Sequence, residues 1–330
     1  MPPRRYRKPS VCLLALLVLL AACGGEGADD GTVCRLAYTA KGYYAPQYLA
    51  ARRSWFAADG LRVREVRLGL SAGIAAAEAL VSGSADVAVM GDVPALIALA
   101  SPRDCVLIAA YGGGEKMHAL VVPGDSPIHA PTDLVGKRVG VQFGSSTHGA
   151  VDLYLRHHGV AVDAVDLVNM PQKDLVEALI SGSIDCLAAS EPTPMLALRT
   201  IPHARELAIL EGLGNDYPLQ IVATRAFAEA HPAAVQAVVD GTRRAVAWIN
   251  ADPDAAAAAT AAFTGAPPAL EAAMFRRMHW HVRLDEQVIT SLGQTADFLH
   301  RIGKLPRIPD VRARCRFAFV QTGADAPDGQ

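Results

Sequence analysis

The 330-residue sequence is poor in aromatics, which make up 6% of it, and has no excess of either charge, 31 basic side chains standing against 33 acidic ones. Without a basic face there is no electrostatic footprint for a nucleic acid, and none is expected as a partner. Cysteines are few and scattered. Cys12 and Cys23 fall in a leader, while Cys34, Cys105, Cys186 and Cys315 are too widely separated for a metal knuckle or a Cys-x-x-Cys redox pair. Hydrolytic triads, nucleophile elbows, P-loops and dinucleotide fingerprints are missing as well. Gly112-Gly113-Gly114 lacks the strand-turn-helix setting of such a fingerprint and fits a crossover that needs free backbone angles. No Arg cluster marks a clamp for phosphate or sulfonate. The expectation is a protein that is not an enzyme, with no cofactor and no metal. His279-Trp280-His281 supplies two imidazoles without a third ligand and is read as a packing segment.

Long apolar runs are also scarce. The one near the start, Val11 to Leu20, follows Arg4, Arg5, Arg7 and Lys8 and leads into Leu20-Ala21-Ala22-Cys23. It is shorter than the ~20 residues of a membrane span and reads as an export signal. Small residues before a cysteine resemble a lipobox, in which Cys23 becomes the lipidated first residue after residues 1–22 are removed. Residues 23–33 then read as a tether, and a second membrane segment is absent. An exported chain permits a disulfide between Cys34 and Cys315. Cys105 and Cys186 are expected as buried small hydrophobes.

What the sequence does contain is a repeat. Glu78-Ala79-Leu80-Val81-Ser82-Gly83-Ser84-Ala85-Asp86 returns as Glu177-Ala178-Leu179-Ile180-Ser181-Gly182-Ser183-Ile184-Asp185, an offset of 99 residues. That period is too long for a solenoid and implies one module used in two lobes. Alternation and helical spacing outline each module as β-α-β-α-β. The first runs through strands 35–38, 61–66 and 86–90 with helices 44–58 and 73–82; the second through strands 138–141, 165–169 and 185–189 with helices 147–158 and 172–181. Extended segments 118–123 and 219–223 pass between the lobes, and residues beyond Phe227 are mostly helical. The predicted fold class is α/β, two lobes each with a parallel-rich sheet flanked by helices and joined by two crossover strands. Lobe 1 takes 34–118 and 221–320, lobe 2 takes 119–220, and 321–330 forms a disordered tail.

Open parallel sheets bind ligands beyond the carboxyl ends of their strands, where helix amino termini and loop donors converge. Those ends select Tyr38 to Tyr44, Leu68 to Gly73 with Ser71, Met90 to Pro94 with Gly91 and Asp92, Gln142 to Gly149, Met170 to Lys173, and Ala189 to Pro192. The 99-residue offset also maps Asp92 onto Glu191. Tyr38, Tyr43 and Tyr44, and Tyr111 and Tyr217 at the crossovers, could stack on a solute and hydrogen-bond it. Ser145, Ser146 and Thr147, followed by His148, open a helix with hydroxyls and a dipole suited to an anion; the alternative is that one of them is only its cap. Asp92 and Glu191 would repel an anion if free, or act as structural partners if bonded.

In order along the chain, Ala85-Asp86-Val87-Ala88-Val89-Met90-Gly91-Asp92-Val93-Pro94, Val121 to Ile128, Asp133 to Val141, Gly144 to His148, Glu191-Pro192, Tyr217-Pro218, His231-Pro232 and Ala247 to Asn250 resemble the type II periplasmic solute-binding proteins of ABC importers. The resemblance is to the nitrate, sulfonate, taurine and thiamine-precursor branch. It implies a bilobal monomer, lipid-anchored to a bacterial membrane outside the cytoplasm, that closes on a small solute and docks on the permease membrane subunits. A sulfonate-, taurine- or nitrate-like anion is expected slightly ahead of a thiamine precursor or other heteroaromatic or amine-bearing solute. A ligand-sensing lipoprotein serving a receptor, or an enzyme like the thiamine-pyrimidine synthases, are the other classes the fold allows.

Overall fold

The computed structural model describes residues 32–56, 61–68 and 72–321. The expected leader, the Cys23 anchor, most of the tether, the candidate Ser71 and the tail from 322 onward lie outside them. The first lobe opens with β1 (Thr32–Thr39), α1 (Ala45–Arg52), β2 (Leu61–Leu68), α2 (Ala72–Val81), β3 (Val87–Met90), α3 (Asp92–Ala100) and β4 (Cys105–Gly112). The second holds β5 (His118–Val122), β6 (Arg138–Val141), α4 (Ser146–His157), β7 (Asp166–Asn169), α5 (Leu175–Ile180), β8 (Cys186–Ser190), α6 (Thr193–Thr200) and β9 (Arg205–Ile209). β10 (Leu219–Thr224) returns to the first sheet. Helices α7 (Arg225–Ala230), α8 (Pro232–Ala251), α9 (Pro253–Thr264), α10 (Pro268–Arg277), α11 (Glu286–Arg301), α12 (Val311–Arg314) and α13 (Ala318–Gln321) follow.

Each lobe carries a five-stranded sheet, ordered β2-β1-β3-β10-β4 and β7-β6-β8-β5-β9. The two orders are the same once β6, β7 and β8 are set on β1, β2 and β3. The parallel core of each sheet, β1 with β2 and β3, and β6 with β7 and β8, comes from the repeated module. The fourth strand of each is antiparallel and arrives by a crossover: β10 lies between β3 and β4, and β5 between β8 and β9. Each crossover therefore leaves one sheet at its edge and enters the interior of the other. The crossovers nearly touch. A Cβ on Gly113 would come within 2.6 Å of the Asp216 carbonyl, and φ is +149° at Gly113 and +125° at Gly114, so only glycine fits there. The Gly114 N–H donates to the Asp216 carbonyl at 2.6 Å, fastening one crossover to the other.

The repeated nine residues have a structural reason. Asp86 accepts from the Arg35 backbone N–H at 2.9 Å and from its Nε and Nη2 at 2.9 and 2.6 Å, while Arg35 Nη1 donates to the Gly83 carbonyl at 2.6 Å. In the second lobe Asp185 takes the same three donors from Arg138 at 2.9, 3.1 and 2.7 Å, and Arg138 reaches the Gly182 carbonyl at 2.9 Å. The turn glycines adopt φ +78° and +69°, which turns their carbonyls toward the guanidinium without a Cβ clash. Each fork ties the turn after the second helix to the start of the third strand and to the residue beside it on the first, with the planar bidentate geometry that arginine supplies.

Alternation along the strands decides what each face of the first sheet buries. Cys34, Leu36 and Tyr38 of β1, with Val87 and Val89, join one apolar cluster; Ala37, Ala88 and Met90 join the other. This separation settles the cysteines. All four described cysteines are free and buried, Cys34 on one face and Cys315 on the other, so the permitted Cys34–Cys315 bridge does not form. The His279-Trp280-His281 segment is packing: Trp280 is buried, stacks edge-on against Phe275 and donates from Nε1 to its carbonyl at 3.0 Å.

Candidate functional site

The carboxyl ends of β1, β3, β6 and β8 meet where the lobes face each other. Ser145 is the cap of α4: its Oγ accepts the His148 N–H at 3.2 Å and donates to the Gln142 carbonyl at 2.6 Å. Ser145 thus takes the capping role that the sequence left open within the trio. His148 is buried, accepts at Nδ1 from the Gly144 N–H at 3.2 Å, and is sandwiched by Phe143 and Phe298, with burial lowering its pKa. Ser146 points out of its lobe. Its hydroxyl donates to Asp92 Oδ1 in the other lobe. Gly91 lies beside this contact, where a Cβ would sit 3.8 Å from Ser146 Oγ, an ordinary van der Waals distance.

The pair related by the repeat offset is reciprocal. Asp92 reaches from lobe 1 to Ser146 of lobe 2, and its other oxygen accepts from Thr295 Oγ1 at 2.8 Å. Glu191, in lobe 2, accepts from Arg277 Nη1 of α10 at 2.6 Å, and the same nitrogen reaches Glu206 of β9 at 3.0 Å. Burial raises the pKa of both acids, Glu191 to about 7 although Arg277 pulls the other way. Neither acid is free: each is a partner across the lobe boundary. A third contact joins Arg301 of α11 to Asp152 of α4 at 2.6 Å.

Beside these contacts lies a group of buried polar atoms that have no partner among the described residues: the hydroxyls of Thr39, Tyr43 and Tyr217, Nε2 of His118 and Oε1 of Gln220. Thr39 ends β1, and Gln220 pairs with Met90 at the end of β3. His118 pairs with Ser190 at the end of β8, and the Tyr217 ring stands edge-on to His118 at 4.4 Å. The Tyr43 hydroxyl approaches Ser190 and Glu191 without a well-formed hydrogen bond to either. These atoms thus gather at one place.

Their protonation follows from burial. His118 is pushed down to about 3 and stays neutral. Its Nδ1 is 2.9 Å from Thr147 Oγ1, and the Thr147 hydroxyl has no other acceptor among the described residues. The hydroxyl therefore donates to Nδ1, and the ring proton sits on the unpartnered Nε2. Burial pushes Tyr43 and Tyr217 above the usual phenol range, so both keep their protons. Three neutral donors, His118 Nε2, Tyr43 and Tyr217, are left without acceptors. Tyr217 also holds a left-handed backbone, φ +44°, braced by its N–H on Asn215 Oδ1 at 2.9 Å. A bulky residue in that region stores strain of ~1 kcal/mol or more.

Two of the sequence candidates lie elsewhere. Tyr38 is fully buried in lobe 1, where its hydroxyl donates to Glu65 at 2.6 Å and its ring meets Phe263 at 5.7 Å. The alternation of β1 turns it to the core face. Tyr111 is also fully buried and donates to the Tyr43 carbonyl at 3.1 Å, so it positions Tyr43 and does not line the site itself. Tyr44 reaches the backbone of Gly91 beside Asp92. His118, Thr39 and Gln220 join the group although no motif marks them as binding residues.

A cavity of about 150 Å³ adjoins this group, lined by Ser146, Asn215, Tyr217, Gln294 and Thr295 and walled by α4 and α11. The larger hollow, about 670 Å³, is lined by Ser101, Asp104, Arg225, Arg307 and Arg314 at the opposite, amino end of β3. It contains none of the unpartnered donors and is an open depression at the back of lobe 1.

Residues 41–256 match the family model described as NMT1/THI5 like. The chain is 27% identical over 241 residues, 72% of it and 74% of the relative, to a protein of Escherichia coli (strain K12) named for binding aliphatic sulfonates. Among solved structures, it is similar to the periplasmic aliphatic sulphonate binding protein of Escherichia coli, with a TM-score of 0.78 and 24% identity over 86% of this chain and 91% of that one. It is also similar to the alkanesulfonate-binding protein of Xanthomonas axonopodis pv. citri bound to MOPS, with a TM-score of 0.73 and 26% identity over 87% and 99%.

Proposed function

This chain belongs to the NMT1/THI5-like family, and from that premise we propose that it is the solute-binding component of an ABC importer, capturing a small sulfonate-class solute between its lobes. The observation that carries the reading is the convergence of His118 Nε2, Tyr43 and Tyr217 as buried donors without acceptors at the facing ends of the two sheets. Buried donors left unpaired cost about 1–3 kcal/mol each, so a fold keeps them where an incoming acceptor compensates. Sulfonate oxygens are such acceptors, and the names of the relatives support that class. The bodies that close on the solute are 34–117 with 219–320, and 118–218, β5 and β10 each going with the sheet it joins. Closure brings Asp92 onto Ser146 and Arg277 onto Glu191, and the closed face is what the permease membrane subunits engage.

Export and a lipid anchor on Cys23 belong to the same proposal. The chain acts as a tethered monomer on the outer side of a bacterial membrane; detergent partitioning of wild type against Cys23→Ser tests the anchor. The solute reading is tested by thermal shift with sulfonates, taurine, nitrate, pyrimidines and flavins, because a ligand raises stability by RT ln(1 + [L]/Kd). A sulfonate-class hit that weakens in Tyr43→Ala and Ser146→Ala supports it. Silence across the sulfonates and taurine overturns it.

A further inference from the structure

We propose that Asp92 determines specificity by charge: it places the protein's own anion where the amino termini of α3 and α4 meet, and so favours a solute of zero net charge over a monoanion. The inference rests on the solute-binding reading above and deepens it.

The Asp92 carboxylate is almost fully buried and receives three donors. Ser146 and the Val93 N–H, the latter at 2.8 Å, share Oδ1, and Thr295 donates to Oδ2 at 2.8 Å. Among the described residues the Ser146 and Thr295 hydroxyls have no acceptor other than Asp92, so both donate to it. A proton on Asp92 would leave one of these two hydroxyls without an acceptor. The residue is the first of α3, and Ser146 is the first of α4, so two helix amino termini support the negative charge. Burial opposes ionisation, but three donors and two dipoles act on the charged form. A carboxylate results, held on the position at which α4 would otherwise receive an anion.

This carboxylate borders the site. Ser146 and Thr295, its two hydroxyl partners, line the 150 Å³ cavity together with Tyr217, whose buried hydroxyl is unpartnered. The remaining charges around that cavity cancel, Asp152 and Asp297 against Arg156 and Arg301. Asp92 adds a negative charge to this balanced lining. A monoanionic sulfonate entering it meets uncompensated repulsion in a buried place, where charges are poorly screened. A zwitterion or an uncharged isostere brings the same oxygens to Tyr217, Tyr43 and His118 without that penalty.

The test is calorimetric titration of wild type and Asp92→Asn with three probes of similar size: ethanesulfonate, a monoanion; taurine, which adds an ammonium group; and ethanesulfonamide, which is uncharged. Wild type is expected to bind taurine or ethanesulfonamide at least about tenfold tighter than ethanesulfonate, a difference of about 1.4 kcal/mol. Asp92→Asn should narrow that ratio about tenfold through a gain for ethanesulfonate. If Asp92→Asn does not fold, Asp92→Ser carries the same comparison. A purely structural role for Asp92 would weaken all three probes together and leave the ratio unchanged, which overturns the inference while leaving the solute-binding reading intact. A wild type that prefers ethanesulfonate overturns it too. A protein that binds none of the three loses the sulfonate-class reading and this inference with it.

Discussion

Arg277, at the end of α10, lies 2.6 Å from the fully buried carboxylate of Glu191 and so joins lobe 1 to lobe 2 through one guanidinium nitrogen. Glu206 shares that nitrogen at 3.0 Å. Removing one partner of a buried pair costs more than the pair contributes, because the other charge stays behind without compensation. Replacing Arg277 by Met should therefore destabilise the protein by about 3 kcal/mol in urea unfolding at pH 8. Adding Glu191→Gln to that variant should recover much of the loss. A double variant no more stable than the single one would show that Glu191 is not the group left unsatisfied.

Two buried groups give opposite pH dependences. Glu191 is raised from 4.5 to about 7, so between these values the folded chain holds a proton that the unfolded chain has released; its contribution is complete below 4.5 and is lost as pH rises through 7. His118 is lowered from 6.5 to about 3, so its contribution is complete above 6.5 and is lost as pH falls toward 3. In the shared window the slopes oppose. Glu191→Gln should leave the melting temperature rising with pH between 4.5 and 6.5, and His118→Asn should leave it falling. Identical profiles for the two variants would contradict both assignments.

The forks are expected to differ in strength. Asp86 has 12% of its side chain exposed and Asp185 33%, while each receives three donors from its arginine. Asp86→Ala should cost about 2 kcal/mol and Asp185→Ala less, since solvent replaces more of the second interaction. Urea midpoints of the two single variants would measure the order directly.

Removing an unpartnered hydroxyl should separate stability from binding. Tyr217→Phe and Tyr43→Phe take away a buried donor that the fold does not use, so the ligand-free protein should hold its melting temperature or gain. Solute affinity should fall about tenfold in each, the scale of one lost hydrogen bond. A drop in stability without a drop in affinity would mean that these hydroxyls serve the fold.

Much of this was readable from the chain. The offset between Glu78 and Glu177 gives the repeated module and, carried on to Asp92 and Glu191, the two acids that cross the lobe boundary. The partners of those acids were not readable. Arg277 lies 86 residues from Glu191 and Thr295 lies 203 from Asp92, separations across which no local pattern operates. Nor does the motif around Gly83 and Asp86 announce Arg35, which is 51 residues before Asp86. Strand β4 and helix α3 escaped for a different reason: both are almost wholly buried, so neither displays the alternation that marks a half-exposed element. Tyr38 and Tyr111 drew attention by residue type, but alternation within their strands sends both side chains to the core. His118 drew little, because its importance comes from a ring nitrogen that finds no partner only after folding.

The two Arg–Asp forks lie at the edge of each sheet where β3 and β8 begin, and the unpartnered donors at the edge where those strands end. The frame and the proposed solute contacts thus occupy opposite edges of the same two sheets, and a substitution at one edge makes no steric demand on the other. A chain arranged in this way can acquire a different cargo by altering a few loop residues while its scaffold is inherited unchanged, and the repeat is the signature of the part that is inherited.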